Sequence, residues 1–572
     1  MKQLTTGRAL IVFRLFIVVW AVINLIQAGL TPLNNDEAYY WMYSKYLAWG
    51  YFDHPPMIAL MIKAGYAVFH NELGVRLVTV MSELAALSII WSLTDEGQRG
   101  KANSVTVFIL LAVILPVFNI FGFIATPDSP LLLFSSVFLL AYKKFISEED
   151  IKTTLFLGLA MAALVYSKYH GALLIILIIF SNLRLLKSGR FWMASILALL
   201  IFSPHIYWQY ANGFPSLKYH LVDRVGGFNP GNIPEYILNM FLIHNPFILP
   251  LALWLVFYKK QTGIFDRGLK FVLAGFVIFF LVQSLRYHIE PQWTAVISVP
   301  MIIILFNNIE LSSRTGLYLK RVAIFFIPLL LFSRAVFMFD FLQVAYLKKE
   351  YHNNEKRAKE IAKIAGERPV VFTNSYQDPS EYTFYTGKFA TTLNNLNYRK
   401  NQYDIWNFEE QVHGREILYV PHYLNDYITE NFTKQKFTFG DSVYVTGIKD
   451  FQSLQKDCVI LDGDNYNFSG NSENIVHLNI YNPYSFPVRL NHQELPVVFQ
   501  IAFLKNGYRE IKKNLELPPG ISVLNVGDTL KVDCRFTLED LPAGDYRIAI
   551  CSETGFLYDV YNSRFSNAKV KD

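Results

Sequence analysis

The feature that most constrains this chain is a succession of apolar runs, separated by short polar breaks, that continues to about Phe339. About 20 predominantly apolar residues cross a bilayer core as a helix, and about eleven runs meet or approach that length. They lie at residues 9–28, 73–93, 104–123, 129–141, 155–166, 172–180, 191–208, 237–257, 271–285, 293–306 and 322–339. We therefore predict a polytopic α-helical membrane protein with about eleven transmembrane helices.

The composition supports a chain made of two unlike parts. The 572 residues are 52% hydrophobic and only 17% charged, yet the mean hydropathy of +0.26 is too low for a chain embedded in the membrane throughout. An apolar part is therefore averaged with a polar one. This excludes intrinsic disorder, collagen, a small disulfide scaffold and a soluble monomer.

The distribution of basic residues predicts the topology. The net charge is +6, and basic residues such as Lys143, Lys144 and Lys152 cluster in every second break, as expected for cytoplasmic loops. With an odd number of spans, the N-terminus is cytoplasmic and everything after Phe339 is extracytoplasmic. A nucleic-acid partner is not expected, because such a surface needs its basic residues on one continuous face.

Two features near the ends of the chain have simpler readings. The first run resembles a cleaved signal peptide, but Arg14 inside it and the further spans favour a retained helix. The cysteines, Cys458, Cys534 and Cys551, match no metal motif and could form at most one disulfide, so they are interpreted as structural.

The predicted domains are residues 1–340, 341–450 and 451–572. A basic helical stretch at 348–363 with short strands at 370–373 and 417–420 favours a small extracytoplasmic α/β domain. Alternating apolar runs after residue 451 predict a C-terminal β-sandwich, with strands at 475–481, 497–503, 529–536 and 546–551.

Acidic and basic residues converge on the outer side of the membrane part. Asp36, Asp53 and Arg286 lie directly against apolar spans, where ionisable groups are costly and indicate a functional site. Between the first two spans, Asp36-Glu37 and Asp53-His54-Pro55-Pro56 each open a helical stretch. A general base needs a carboxylate and an anionic leaving group needs cations. Asp36 and Asp53 could supply the carboxylate. The cations could come from His54, Lys168, His170 and Arg286.

Five segments in this order carry a resemblance. They are the Asp36-Glu37 pair, YFDHPP (51–56), TPDSP (126–130), YSKYHG (166–171) and RYHIEPQW (286–293). Together they resemble the C-type membrane glycosyltransferases, within the branch that holds protein O-mannosyltransferases and lipid A aminoarabinose transferases. The resemblance covers roughly the first 340 residues.

The resemblance implies an inverting transfer of a sugar from a polyprenyl (undecaprenyl) monophosphate to a lipid A, protein or glycan acceptor. It also implies the C-type fold, a bacterial inner membrane location and periplasmic C-terminal domains. Asp36 is the implied base, with Glu37 beside it and Asp53 assisting or orienting the acceptor. Some relatives have a phosphate-binding lysine where this chain has His54, which shifts weight to Lys168 and Arg286.

Further residues are expected at the substrate, and no cofactor is expected. Asp128, His170, His288 and Glu290 belong to the motifs, and two ligands such as His288 and Glu290 are weak grounds for a metal. The segment 374–388 resembles the extracytoplasmic part of bacterial members. Its Tyr382 and Tyr385 either cover the sugar site or pack inside the α/β domain.

Two other functions remain alternatives. A transporter or flippase of a lipid-linked substrate should show related halves and ionisable residues near the middle of the bilayer, and this chain shows no evident repeat. A membrane-anchored binding protein would not need so many spans.

Overall fold

The computed structural model describes residues 2–220, 227–260, 263–395, 399–422, 430–456, 458–505 and 507–571. These form two compact units, Met1–Asn354 and Glu355–Asp572, which we call the membrane unit and the C-terminal unit. The membrane unit is helical, as predicted. Its helices are α1 (Lys2–Leu30), α2 (Asn35–Lys45), α3 (Met57–Tyr66), α4 (Glu72–Leu93), α5 (Glu96–Arg99), α6 (Ser104–Ile114), α7 (Pro116–Ile120), α8 (Asp128–Ser147), α9 (Ile151–Ser167), α10 (His170–Ser181), α11 (Gly189–Ala211), α12 (Pro215–Lys218), α13 (Asn232–His244), α14 (Ile248–Tyr258), α15 (Ile264–Ser284), α16 (Ser298–Asn308), α17 (Arg314–Met338) and α18 (Ala345–Leu347).

The membrane unit contains several helices that can span a membrane, as predicted. Fewer of its helices are long enough to do so than the sequence predicts. Among the described residues, five helical segments are long and apolar enough to cross a membrane: Gly7–Leu30, Glu72–Leu93, Asp128–Ser147, Gly189–Ala211 and Arg314–Met338. A sixth results if α13 and α14, bent by 99° at their junction, form one broken span. Helices α6, α9 and α10 are apolar but shorter. Length and composition therefore support five or six spans, where we predicted about eleven.

The predicted span at 104–123 is broken at Pro116, and polar side chains fill the break. Proline cannot donate a backbone hydrogen bond and so leaves carbonyls of the preceding turn unpaired. The Asn119 Nδ2 amide donates to Val113 O (2.8 Å) and to Leu115 O (3.1 Å). Asn245, from the bend between α13 and α14, donates through Nδ2 to Ile114 O at 3.1 Å. The break is thus closed by two asparagines, as the absence of water from a bilayer core requires.

A buried polar network joins four helices inside the membrane unit. Glu83 of α4 accepts hydrogen bonds from Trp20 Nε1 (3.2 Å) and Asn24 Nδ2 (2.6 Å) of α1. Arg334 of α17 donates to Asn24 Oδ1 and, at 3.2 Å, to Asn119 Oδ1 of α7. Each charge in this apolar surrounding is therefore held by partners on other helices, the condition under which buried charges are tolerated.

The C-terminal unit begins with a mixed sheet and two helices that share one core with a single face of that sheet. It contains α19 (Asn354–Ala365), β1 (Val370–Thr373), α20 (Gln377–Thr386), β2 (Ala390–Leu393), β3 (Ile417–Val420), β4 (Thr433–Lys436) and β5 (Ser442–Ile448). The strand order is β2-β1-β3-β5-β4, with β1 parallel to both β2 and β3. The predicted strands at 370–373 and 417–420 are present as β1 and β3.

The rest of the C-terminal unit is a pair of facing sheets. Its strands are β6 (Val459–Leu461), β7 (Asn465–Ser469), β8 (Ser472–Tyr481), β9 (Val488–Arg489), β10 (Val497–Lys505), β11 (Tyr508–Asn514), β12 (Val523–Leu524), β13 (Thr529–Leu538), β14 (Gly544–Thr554), β15 (Leu557–Tyr561) and β16 (Ser566–Lys571). One sheet has the order β11-β10-β14-β16-β7, with β15 on β14, and the other β13-β8-β6. Phe468 and Phe536 meet between the sheets with ring centroids 5.3 Å apart. The four strands predicted after residue 451 are present as β8, β10, β13 and β14.

Two details refine the predictions for this unit. The α/β part and the facing sheets share a core that includes Val371, Tyr419, Leu495 and Leu557, so they pack as one compact unit. A separate domain boundary at residue 451 stays a prediction. All three cysteines are buried free thiols.

The Glu83–Arg334 network yields a stability prediction. Arg334→Met should lower the free energy of unfolding by about 1–3 kcal/mol, because it leaves Asn24 Oδ1 and Asn119 Oδ1 buried without their donor and removes the cation that attracts Glu83. Thermal unfolding of the detergent-purified protein measures this, with the exposed Arg321→Met on the same helix as the matched control. The double variant Glu83→Gln/Arg334→Met should regain part of the loss. A double variant no more stable than Arg334→Met alone would contradict an electrostatic attraction between Glu83 and Arg334.

Candidate active site

The buried Arg76–Glu37 ion pair fixes the start of the first loop helix. Arg76 of α4 donates from Nε to Glu37 Oε1 (2.7 Å) and from Nη2 to Glu37 Oε2 (2.5 Å), and both side chains are 0% exposed. Its remaining donors reach the carbonyls of Ala28, Thr31 and Pro32. All five guanidinium N–H groups therefore have acceptors, and one side chain holds the end of α1, the following loop and α2 together.

Glu37 has further partners beyond Arg76. Its Oε1 accepts a hydrogen bond from Ala125 N (2.8 Å), and its Oε2 accepts one from Asn34 N (3.0 Å). The Asn34 side chain caps α2 in return by accepting from Asp36 N at 3.0 Å, the reciprocal arrangement of a capping box. These contacts favour a positioning role for Glu37, predicted as a catalytic residue beside Asp36. They also hold Asp36, which is half-buried, in the first turn of α2.

Asp36 lies in an acidic neighbourhood. Burial raises the pKa of the Glu350 carboxyl, and the charge of Asp36 raises it further. Tyr346 interacts electrostatically with Asp36, Glu350 and Glu290. Glu350 therefore lies close enough to Asp36 for their charges to interact, which favours the protonated form of Glu350.

Asp53 is oriented by tyrosines. Its side chain is 7% exposed, and Oδ1 accepts a hydrogen bond from Tyr43 OH at 2.7 Å. The ring of Tyr51 stacks on that of Tyr43 at 3.9 Å, and its hydroxyl donates to Tyr43 O at 2.9 Å. Burial, followed by the Asp53 charge, raises the pKa of Tyr43, so the phenol stays protonated and donates to the carboxylate. His54 follows with its ring 5.7 Å from that of Tyr40.

A second buried ion pair joins two of the motifs. Lys168 Nζ lies 2.7 Å from Asp128 Oδ1 and 2.8 Å from Oδ2, with both side chains almost fully buried. Asp128 begins α8 and Lys168 follows the end of α9. The pair uses two of the three ammonium donors, so the lysine is oriented by Asp128 with one N–H beyond the pair.

A chain of hydrogen bonds runs from the fourth motif to the loop of the second. The Tyr169 hydroxyl lies 3.0 Å from His205 Nε2 and accepts from Gln209 Nε2 at 3.1 Å. The same amide donates to Ser216 Oγ (2.7 Å), which donates to Phe52 O at 2.7 Å. The loop that carries the second acid is thus tied to α11 and α12.

The fifth motif meets the fourth through aromatic contacts. The His170 ring lies 5.5 Å from that of Trp293 and 5.3 Å from that of Phe280. Arg286 is exposed, so a ligand can reach its guanidinium.

His288 and Glu290 lie in a partly exposed group. His288 Nδ1 is 3.1 Å from Glu235 Oε2, and Nε2 is 3.5 Å from Glu290 Oε2. Among the described residues, no group of three or more histidine, cysteine or acidic side chains is arranged to hold a metal ion. A role of His288 and Glu290 in substrate binding stays a prediction.

The two tyrosines predicted in the C-terminal unit lie at its core. Tyr382 is buried against Phe372, with ring centroids 6.1 Å apart, and Tyr385 packs against the same core. These positions favour the packing alternative for both residues.

Contacts thus join all five motifs within the membrane unit. Glu37 bonds to Ala125, the residue before TPDSP; Asp128 pairs with Lys168; Tyr169 interacts with the charge of Asp53; and His170 contacts Trp293. Carboxylates, cations and hydroxyls from distant parts of the chain are therefore neighbours, the arrangement that acid–base chemistry on a polar substrate requires.

Sequence reasoning missed several residues of this site. Arg76 carried a signal, because it is a lone cation in a predicted span and such residues have partners. Tyr43 was one of four aromatic residues within the segment 39–43, and nothing in the sequence distinguished it from the other three. His205 and Gln209 lie inside or at the end of an apolar run, with nothing in the sequence to pair them with Tyr169.

The family model and the curated proteins that this chain matches are all glycosyltransferases. Residues 53–208 match a family model described as dolichyl-phosphate-mannose-protein mannosyltransferase. The chain is 24% identical over 294 residues to the lipopolysaccharide core galacturonosyltransferase RgtA of Rhizobium johnstonii, covering 47% of this chain and 58% of that protein. It is 23% identical over 268 residues to the lipid A galacturonosyltransferase RgtD of the same organism, covering 43% and 54%. The matches thus span little more than half the length of these relatives.

A solved structure shares the fold. The crystal structure of ArnT from Cupriavidus metallidurans, bound to undecaprenyl phosphate, is similar with a TM-score of 0.53 and 15% identity. The likeness covers 76% of this chain and 97% of ArnT. The predicted C-type fold is therefore supported by a structure as well as by the motifs.

The Arg76–Glu37 pair yields a prediction for the integrity of the loop. Arg76→Lys should make residues 31–57 more susceptible to proteolysis and lower the unfolding temperature, because three ammonium donors cannot replace five guanidinium donors at fixed positions. Limited proteolysis with mass spectrometry measures the effect. Arg14→Lys, an exposed position on α1, is the matched control. Equal cleavage of both variants would contradict the anchoring role.

Proposed function

We infer that this chain, which belongs to the membrane glycosyltransferases with the C-type fold that use polyprenyl-phosphate sugars, transfers a sugar from a polyprenyl monophosphate to an acceptor on the outer face of the membrane. The observation that carries the proposal is the junction of five separate motifs around Asp36, Asp53 and Lys168. Basic residues fall in every second loop between apolar segments, which supports a cytoplasmic N-terminus and a periplasmic C-terminal unit. We propose about eleven spans, a number that includes the short and broken apolar helices. We place the protein in a bacterial inner membrane.

The proposed reaction is a single displacement with inversion. Asp36 takes the proton of the acceptor hydroxyl, whose oxygen forms a bond to the anomeric carbon. The bond from that carbon to the phosphate oxygen breaks, and polyprenyl phosphate leaves. Asp53, held by Tyr43 (2.7 Å), assists the base or orients the acceptor. Glu37 keeps the loop in place.

Cations stabilise the leaving phosphate in this proposal. Lys168, oriented by Asp128, and the exposed Arg286 meet the charge that develops on the phosphate oxygens. His54 and His170 lie in the same set of motifs and contact the donor. His288 and Glu290 contact the substrate at the exposed edge.

The acceptor is proposed from the relatives. The names of RgtA and RgtD place their acceptors in the lipopolysaccharide core and lipid A. We propose an acceptor of this class, a saccharide on a lipid anchor, in preference to a protein or a free glycan.

The base assignment yields the first functional prediction. Asp36→Asn should lower the transfer rate about 10²–10⁴-fold, the usual contribution of a general base, without changing the unfolding temperature. The assay supplies membranes or nanodiscs with a radiolabelled polyprenyl-phosphate sugar and lipid A. Glu72→Gln, a carboxylate at the start of α4, is the control and should retain activity. Full activity of Asp36→Asn would remove it as the base.

The phosphate contact yields the second functional prediction. Arg286→Ala should raise the KM for the donor more than the KM for the acceptor, because the lost cation faces only the lipid phosphate. Arg286→Lys should restore part of the donor affinity, since a charge remains. Lys218→Ala, an exposed cation in α12, is the control. An equal change in both KM values would place Arg286 away from the phosphate.

A further inference from the structure

The C-terminal unit contains a small cavity beside the edge strand of its mixed sheet. Its volume is about 190 Å³, and its lining includes Thr392 of β2, Asn394 just beyond β2, and residues of the segment 400–409. Strand β2 is the outermost strand of the sheet. Drug-sized ligands occupy ~300–1,000 Å³, so this cavity has room for one small ring. None of its lining residues belongs to the candidate active site.

Aromatic rings form one side of the cavity. The rings of Tyr403 and Trp406 lie 5.0 Å apart at 85°, and Trp406 stacks on Phe408 at 5.0 Å and 28°. Tyr403 is held further by a hydrogen bond of 2.9 Å between its hydroxyl and Ser380 Oγ. The wall is thus rigid and amphipathic, able to cover the apolar face of a ring while its polar edge bonds elsewhere.

Side-chain oxygens on the lining need hydrogen-bond donors. The Asn394 Nδ2 amide donates to Asp404 Oδ2 at 2.7 Å, which fixes the orientation of the amide and makes Oδ1 the acceptor. Within the described part of the chain, Asn394 Oδ1, Thr392 Oγ1 and Gln455 Oε1 are buried without a partner. Asn394 and Thr392 are only 7% and 6% exposed. Buried polar groups are normally hydrogen-bonded, and all three of these residues line the cavity, so a ligand rich in hydroxyls would supply the missing donors.

The charges around the cavity balance. Asp404 and Glu409 face the same space as Lys400 and Lys456, two acids against two bases. Asp404 also accepts from Asn401 N (2.6 Å), and Glu409 accepts from Ser453 Oγ (2.6 Å). An anionic ligand would therefore gain no net attraction, whereas a neutral one can use both carboxylates as acceptors.

We propose that this cavity is a binding site for an uncharged sugar ring, separate from the active site. One face of the sugar ring rests on the Trp406 ring and its edge meets Tyr403, which is perpendicular to Trp406. Its hydroxyls donate to Asn394 Oδ1, Gln455 Oε1 and the Asp404 carboxylate. Thr392 Oγ1 donates to or accepts from a further hydroxyl. The site stands on the C-terminal unit alone and does not depend on the reaction proposed for the membrane unit.

The test is direct binding to the full-length protein in nanodiscs. Saturation-transfer NMR and tryptophan fluorescence are measured with glucose, galactose, mannose and N-acetylglucosamine, and with galacturonate and glucose 1-phosphate as charged counterparts. At least one neutral sugar should bind saturably with a Kd in the range of ~1–10 mM, as expected for a few hydrogen bonds on a single ring. No saturable binding of any neutral sugar below about 50 mM, or tighter binding of the charged sugars, would overturn the proposal.

Matched variants separate binding from folding. Thr392→Val keeps the shape and removes one hydroxyl, so it should weaken binding about two- to tenfold without loss of stability. Thr383→Val is the control, because Thr383 is likewise buried with an unpartnered hydroxyl but does not line the cavity, and its binding should be unchanged. Trp406→Leu should abolish the fluorescence response and weaken binding seen by NMR. Equal binding by Thr392→Val and the unaltered protein would overturn the site.

Discussion

The arrangement of the candidate active site depends on a single buried guanidinium. Arg76 has five donors, and each of them has an acceptor: two on Glu37 and three on the carbonyls that follow or end α1. A buried charge is tolerated only when it is fully paired. All the segments that supply acceptors to Arg76 must therefore be in place together for the loop to keep this conformation. The position of Asp36 in the first turn of α2 follows from contacts made by its neighbours, and so does the meeting of α2 with the segment before Asp128.

Much of the architecture could be predicted because it follows from periodicity and length. The helical first part, the strands β1, β3, β8, β10, β13 and β14, and the two helices of the first loop all stood out in the sequence. Fewer helices than predicted are long enough to span a membrane because some apolar runs, such as residues 104–123, are interrupted by a break in the helix. Pro116 was visible, but its consequence depends on Asn119 and on Asn245, which lies 129 positions away from Pro116 by their numbering.

The site could be predicted as a set of motifs, but the role of each residue within it could not. Asp36 and Glu37 are adjacent and chemically alike, yet one is half-buried in an acidic neighbourhood and the other is sealed against Arg76. Lys168 was expected to meet a ligand phosphate, and its partner Asp128 was assigned to the substrate. Side-chain pairing across distant segments decides such roles, and a single sequence carries no record of it. For Tyr382 and Tyr385 the amphipathic nature of the side chain allowed both alternatives until burial was known.

The broken helices have a consequence for how the protein is inserted into the membrane during its synthesis. The carbonyl of Ile114 is bonded by an amide from Asn245, although the ribosome makes these residues many seconds apart at ~5–20 residues per second. Until the second segment arrives, the kinked first segment would expose a bare carbonyl to lipid, where nothing can replace the missing donor. The segment around Pro116 must therefore stay in contact with water or with the insertion machinery until Asn245 has been synthesised. This part of the membrane unit then folds late, when the two distant segments come together.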